Sequence, residues 1–175
     1  MTVKLIYETH STTVDNEGGV ATGWLPGVLS AAGEREAVEL GQRHPEVDAV
    51  FSSDLRRAVQ TVELAFAGRD IPYFQDWRLR ECNYGDLNGA PRERLEPRRR
   101  YVDHPFPGGG QSYRQVLALT RSFVADLKTL YDGRTVLVVA HSANRWSLQH
   151  LVDNTALEDL VDAPFDWQPG WEYEV

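Results

Sequence analysis

The chain is short of several things, and each shortage removes a class of protein. It has one cysteine, Cys82, so no internal disulfide framework can form. That cysteine reads as a small, partly buried side chain rather than a catalytic thiol. No window approaches the run of about 20 apolar residues that a membrane span needs. The apolar run at Met1-Thr2-Val3-Lys4-Leu5-Ile6-Tyr7 is too short for a signal peptide, so a cytoplasmic protein with no membrane partner is expected. Positive charge is in deficit. Eighteen Lys and Arg stand against 26 Asp and Glu, a net −8 that repels polyanions and argues against a nucleic-acid partner. No side chains show zinc or calcium ligand spacing, and no metal or other cofactor is expected. Repeats and low-complexity segments are missing too. Basic residues are concentrated in one stretch, at Arg92, Arg94, Arg98, Arg99 and Arg100. It reads as a solvated face, with an anion-attracting rim over a site as the sharper alternative.

What is present fits one domain over residues 1–175. Val3 to Tyr7 is apolar and β-favouring and gives way to the polar Glu8-Thr9-His10-Ser11, a strand entering a loop. Glycine and proline punctuate residues 18–27. Ser30 caps a helix running through Gln42, and Val47 to Phe51 is a second strand. Ser53 or Asp54 is expected to cap a helix that buries Leu55, Ala58, Val59, Val62 and Phe66. Ile71 to Phe74 reads as a short strand, and residues 76–111 as the least regular part. Ser112-Tyr113-Arg114-Gln115 fits a capping box. After Asp132-Gly133, the run Thr135 to Ala140 suggests a strand covered on both faces. A helix from about Asn144 to Val152 follows, and the aromatic tail Phe165 to Tyr173 is expected to pack back on the body. Alternating strands and helices predict an α/β three-layer sandwich with a mainly parallel sheet. Ligands in such folds bind beyond the carboxyl ends of strands, where His10, Ser53 and His141 all fall.

Four separated segments supply parts of one phosphate-handling site: Thr9-His10-Ser11, Ser53 to Ala58, Leu79-Arg80-Glu81 and Ala140-His141-Ser142. A lone histidine after a strand is more often structural than catalytic, so the joint pattern carries the argument. That pattern resembles the histidine phosphatase superfamily, the phosphoglycerate mutase-like family, from about Val3 to Asn154. His10, Thr13 and Asn16 follow its opening motif. Ser52-Ser53-Asp54-Leu55-Arg56-Arg57-Ala58-Val59-Gln60-Thr61 is the most specific match. Leu79-Arg80-Glu81 before Tyr84-Gly85, Pro107-Gly108-Gly109, and Val138-Val139-Ala140-His141 complete it.

The resemblance implies four catalytic residues. His10 is the nucleophile that forms a phosphohistidine. Arg57 grips the phosphoryl oxygens. His141 donates to the same group as charge develops, and Glu81 is the general acid and then base. Ser11, Asn16, Thr22, Gly23, Tyr84 and Ser142 are expected to line the pocket. The family's arginine before the nucleophile is Thr9 here, with Glu8 in front of it. Losing that bidentate contact removes on the order of 2–3 kcal/mol, or roughly 30- to 150-fold in rate if the loss falls on the transition state. Glu8 would repel a dianion or orient Arg57. Arg145, one helical turn after His141, is the candidate replacement for the missing charge, and Arg80 a weaker one. The expected activity is hydrolysis of a small phosphorylated metabolite. A phosphoglycerate mutase-type transferase and a catalytically weakened phosphoester-binding protein stay open, as does a homo-oligomer.

Overall fold

The computed structural model of the protein describes residues 2–175. The elements are β1 (Lys4–Thr9), α1 (Val14–Glu17), β2 (Val20–Ala21), α2 (Ala31–Arg43), β3 (Ala49–Ser52), α3 (Arg56–Ala65), β4 (Tyr73–Gln75) and β5 (Ala90–Pro91). Then come α4 (Tyr113–Leu130), β6 (Thr135–Ala140), α5 (Ser142–Asp153), α6 (Leu157–Asp162) and β7 (Trp171–Glu174). Single 3-10 turns occupy much of 77–101. None of the described helices is long and apolar enough to cross a membrane.

Five strands form the main sheet in the order β4-β3-β6-β1-β7. All its pairings are parallel except β1 with β7. Alternation along β1 and β6 sends Ile6, Leu137 and Val139 to one face, where Leu40 of α2 and Val62 and Ala65 of α3 cover them. Leu5, Tyr7, Val136 and Val138 face the other way, against Phe123 and Leu127 of α4 and Leu148 of α5. The result is the three-layer sandwich expected, and β6 is buried on both faces, as its unbroken aliphatic run requires. A third apolar cluster gathers Tyr84, Leu95, Phe106, Tyr113 and Trp146 beneath the irregular 82–106 region. The aromatic tail does pack back, as the edge strand β7.

The caps read from the sequence hold at Ser30 and Ser112 and fail at α3. Ser30 accepts the Gly33 amide at 3.2 Å, and Ser112 and Gln115 close their capping box at 2.8 and 3.2 Å. Helix α3, however, takes Leu55 as its N-cap with no side-chain bond, instead of Ser53 or Asp54. Both of those side chains have other partners: Ser53 bonds His141 at 2.7 Å, and Asp54 pairs with Arg80. Helix α5 begins at Ser142, two residues before the expected start.

Two helices cover one face of the sheet only because α2 and α3 approach closely. A Cβ on Gly41 would lie 1.8 Å from the Ala65 carbonyl oxygen. Backbone cannot yield as a side chain would, so Gly41→Ala should destabilise the fold by about 1–3 kcal/mol. Urea denaturation measures this, and an unchanged midpoint would show that the α2–α3 contact is slack.

Candidate active site

Strands β1 and β6 run side by side in register from Lys4↔Thr135 to Thr9↔Ala140. A histidine directly follows each strand. The His10 amide continues the ladder to the Ala140 carbonyl at 2.9 Å, and the rings of His10 and His141 lie 5.1 Å apart, centre to centre. Nδ1 of His10 lies 2.8 Å from the Ser11 carbonyl oxygen. A carbonyl can only accept, so Nδ1 carries the hydrogen and Nε2 keeps a lone pair. Burial, aided by the Arg57 charge, lowers the His10 pKa to about 3. The ring is therefore neutral near pH 7, as a nucleophile must be.

Arg57 comes from the first turn of α3 and is buried. Its Nε donates to His10 Nε2 at 3.3 Å. The two other guanidinium nitrogens donate to the carbonyls of Leu25, at 3.3 Å, and Gly23, at 2.8 Å. One side chain thereby ties the 22–27 loop to the nucleophile. Gly23 sits at φ +56 with Asn88 packed against it, and a Cβ there would lie 1.9 Å from Asn88 Oδ1.

His141 is fully buried, with Nε2 2.7 Å from Ser53 Oγ and Nδ1 without a partner. Tyr7 donates its hydroxyl hydrogen to the His141 carbonyl. Burial and the neighbouring Arg57 and His10 hold the His141 pKa well below the ordinary value. Glu81 is also buried. Burial raises its pKa, against the amide of Cys82 at 2.8 Å and the charges of Arg57 and Arg98. Trp24 fixes the same segment by donating its indole hydrogen to the Glu81 carbonyl at 2.7 Å.

A cavity of about 890 Å³ opens over this group and is lined by His10, Arg57 and Glu81. Ser11, Asn16, Thr22, Gly23, Tyr84 and Ser142 line it too. Asn16 also closes a capping box with Thr13 on α1, and Thr22 donates to Asp15 at 2.7 Å. His141 is buried and is not among the residues that line it.

Arg145 does not join them. Its guanidinium lies over the Trp171 ring at 5.0 Å and donates to Gln149 at 3.1 Å, outside the cavity lining. The strand β7 supplies that ring, and the cation–π contact draws Arg145 towards it. Arg80 is likewise committed, bidentate to Asp54 at 2.6 and 2.7 Å and stacked over Trp24. Among the described residues Arg57 is the only arginine hydrogen-bonded to His10. Glu8 does not orient Arg57. It is buried between Arg43 at 3.0 Å and His44 at 2.8 Å, so its charge is absorbed there.

The basic stretch read as a solvated face divides instead. Arg92 and Arg98 line the cavity, while Arg99, which does not, pairs with Asp162 of its lining. Arg98 stands near enough to Glu81 and Tyr84 for its charge to oppose the rise that burial gives both their pKa values. The sequence singles out neither Tyr7 nor Trp24, and it places Ser53 in a site segment without a role of its own. Only Ser53 carried a signal, its place directly after a strand.

The family described as histidine phosphatase superfamily (branch 1) matches residues 9–166. The 2,3-bisphosphoglycerate-dependent phosphoglycerate mutase of Bifidobacterium longum is 38% identical over 201 residues, which cover 92% of this chain and 81% of that one. The solved structure of Bacillus stearothermophilus YhfR superposes with a TM-score of 0.83 at 27% identity, covering 95% of this chain and 88% of the other. A mycobacterial glucosyl-3-phosphoglycerate phosphatase, solved with VO3, superposes with a TM-score of 0.76 at 27% identity, covering 90% and 85%.

The depressed pKa of His10 has a consequence for stability. The group titrates at about 3 in the folded chain against an ordinary 6.5, so the unfolded chain takes up the proton first. Its contribution is complete above pH 6.5 and is lost as the pH falls from there towards 3. His10→Gln should flatten the acid limb of a stability–pH curve measured by urea unfolding. Superimposable slopes for the two proteins would contradict a neutral buried imidazole.

Proposed function

The chain belongs to the histidine phosphatase superfamily, and we propose that within it this protein is a phosphomonoester hydrolase acting on a small phosphorylated metabolite through a phosphohistidine intermediate. The observation that carries the reading is the state of His10. It is neutral, Nε2 is the nitrogen that keeps its lone pair and meets the Arg57 guanidinium, and Arg57 and Glu81 line the same cavity.

In the first step His10 Nε2 forms a bond to phosphorus as the ester P–O bond breaks. Glu81 gives its proton to the leaving oxygen, for which its raised pKa suits it. Positive charge grows on the imidazole, and the Ser11 carbonyl receives it through Nδ1–H. The spare hydrogens of Arg57 meet the spreading phosphoryl charge. In the second step the Glu81 carboxylate takes a proton from water, the water oxygen bonds phosphorus, and the N–P bond breaks. Inorganic phosphate leaves, and His10 and Glu81 return to their starting states.

A second reading has its own support. With Arg145 turned to Trp171, Arg57 is the only arginine bonded to His10 among the described residues, and Arg92 and Arg98 line the cavity without a bond to it. That favours a catalytically weakened phosphoester-binding protein as the alternative. Mutase-type transfer is the third, since it needs the same intermediate and only a longer hold on it.

His10→Ala should abolish turnover of an aryl phosphate together with any acid-labile phosphoenzyme. Glu81→Gln should slow esters of poor leaving groups far more than activated aryl esters, which depart without a proton. Equal losses on the two classes would remove Glu81 from the acid role. Free phosphate, rather than an isomeric ester, should accumulate from a phosphoglycerate. Absence of any turnover by the unaltered protein, with retained phosphate binding, would favour the binding reading.

Position 9 gives a separate test. Thr9→Arg should raise kcat/KM by roughly 30-fold or more, because a charge-assisted fork contact is worth on the order of 2 kcal/mol at the transition state. No gain would mean that the present site already neutralises its substrate.

A further inference from the structure

Ser53 and His141 form a polar pair that no step above uses. Both side chains are fully buried. The hydroxyl stands just past β3 and the imidazole just past β6, and those strands are parallel neighbours, with Ser52 beside Val139. Nε2 of His141 lies 2.7 Å from Ser53 Oγ. His141 is the N-cap residue of α5, yet its ring makes no capping bond. The second ring nitrogen, Nδ1, has no partner among the described residues.

Counting hydrogens locates the ring proton. The Leu55 amide lies 3.3 Å from Ser53 Oγ, and an amide N–H can only donate. The hydroxyl hydrogen of Ser53 then has one acceptor among the described residues, the lone pair of His141 Nε2. Ser52 does not take it, because its own hydroxyl donates to the Ser53 carbonyl at 2.8 Å and meets the Tyr73 hydroxyl at 2.7 Å. A hydrogen on Nε2 would direct two donors at Oγ and strand the hydroxyl hydrogen without an acceptor in a buried place. Such a group bears its full desolvation cost. The imidazole is neutral, since burial and the neighbouring Arg57 and His10 hold its pKa well below the ordinary value. It therefore has one hydrogen, and that hydrogen belongs to Nδ1.

We propose that Ser53 is a positioning residue that fixes His141 as the Nδ1–H tautomer, so that this hydrogen meets the phosphoryl group on His10. The proposal rests on the phosphohistidine reading above. With Nε2 committed to Ser53, Nδ1 is the one nitrogen of the ring left to engage a ligand. The two imidazoles are 5.1 Å apart, so a phosphoryl group bonded to His10 stands beside His141. A buried donor without a partner is costly, and phosphoryl oxygens supply the acceptor. The donor is already oriented when they arrive, so no reorganisation is needed at that moment. The other tautomer would present the Nδ1 lone pair to the same oxygens and repel them. Ser53 thus decides whether His141 attracts or repels the group being transferred.

Long-range proton–nitrogen NMR correlation on nitrogen-15-labelled protein reads the tautomer without turnover. The unaltered protein should show His141 protonated at Nδ1 and bare at Nε2, and saturating orthovanadate should shift the Nδ1 hydrogen. Ser53→Ala should move hydrogen to Nε2 in a large fraction of molecules. It should also lower kcat/KM for an aryl phosphate by about tenfold, the scale of one oriented hydrogen bond. Ser53→Thr keeps the hydroxyl and should restore the Nδ1–H form. In a His141→Ala background the loss from Ser53→Ala should vanish, because Ser53 acts only through the imidazole. Circular dichroism establishes that each variant is folded. A hydrogen on Nε2 in the unaltered protein would overturn the proposal, as would an Nδ1 resonance that orthovanadate leaves unmoved. A folded Ser53→Ala protein that keeps the Nδ1–H form, or a loss undiminished in the His141→Ala background, would do the same. An inactive protein with the Nδ1–H form and a vanadate-shifted resonance would defeat the hydrolase reading and uphold the assignment of Ser53.

Discussion

The parallel pairing of β1 with β6 is the constraint on which the rest depends. Parallel neighbours advance together, so two strands held in register also end together, and here a histidine directly follows each. The ladder continues one bond further, from the His10 amide to the Ala140 carbonyl. Neither ring could shift along its strand by one residue without reversing every side chain between the two helical layers. The hydrophobic core therefore sets the position of the catalytic nitrogens. Around that fixed pair the other groups arrive by separate routes: Arg57 on a helix, Glu81 in irregular chain, and the 22–27 loop through its carbonyls. Arg57 joins three of these parts with single bonds from each of its nitrogens.

Burial then separates the ionisation behaviour of the site. The two imidazoles are pushed towards neutrality and the carboxyl towards its protonated form by the same low-polarity surroundings. The arginine stays charged, and its field works against protonation of both histidines. One physical cause thus prepares a nucleophile and an acid together, with no need for a separate device for each.

The strands and the site histidines were legible because their signals are local. An apolar run stops, a polar loop begins, and a histidine stands at the change, as at Tyr7 to His10 and Val138 to His141. Ser30 and Ser112 were legible as caps for the same reason. Ser53 was misread as a cap because sequence shows a hydroxyl before a helix but not the imidazole from β6 that competes for it. Arg145 failed for a related reason. Helical spacing places it one turn from His141, but its direction is decided by Trp171, on a strand whose place beside β1 no local pattern reveals. Arg98 was read with its neighbours as a solvated face, the rim over a site being the alternative, because the 3-10 turns of its segment have no periodicity from which to read a face. The four-residue helix α1 and the six-residue helix α6 are too short to show one.

The close seating of α2 on the nucleophile loop distributes mutational freedom unevenly. A Cβ on Gly33 would come within 1.9 Å of the Thr12 carbonyl oxygen, and that loop follows directly from His10. Helix and loop consequently move as one body, and a single methyl group at position 33 would displace the reactive ring without touching it. A substitution at position 33 can therefore weaken the chemistry of this chain from outside its site, through the shape of the loop alone.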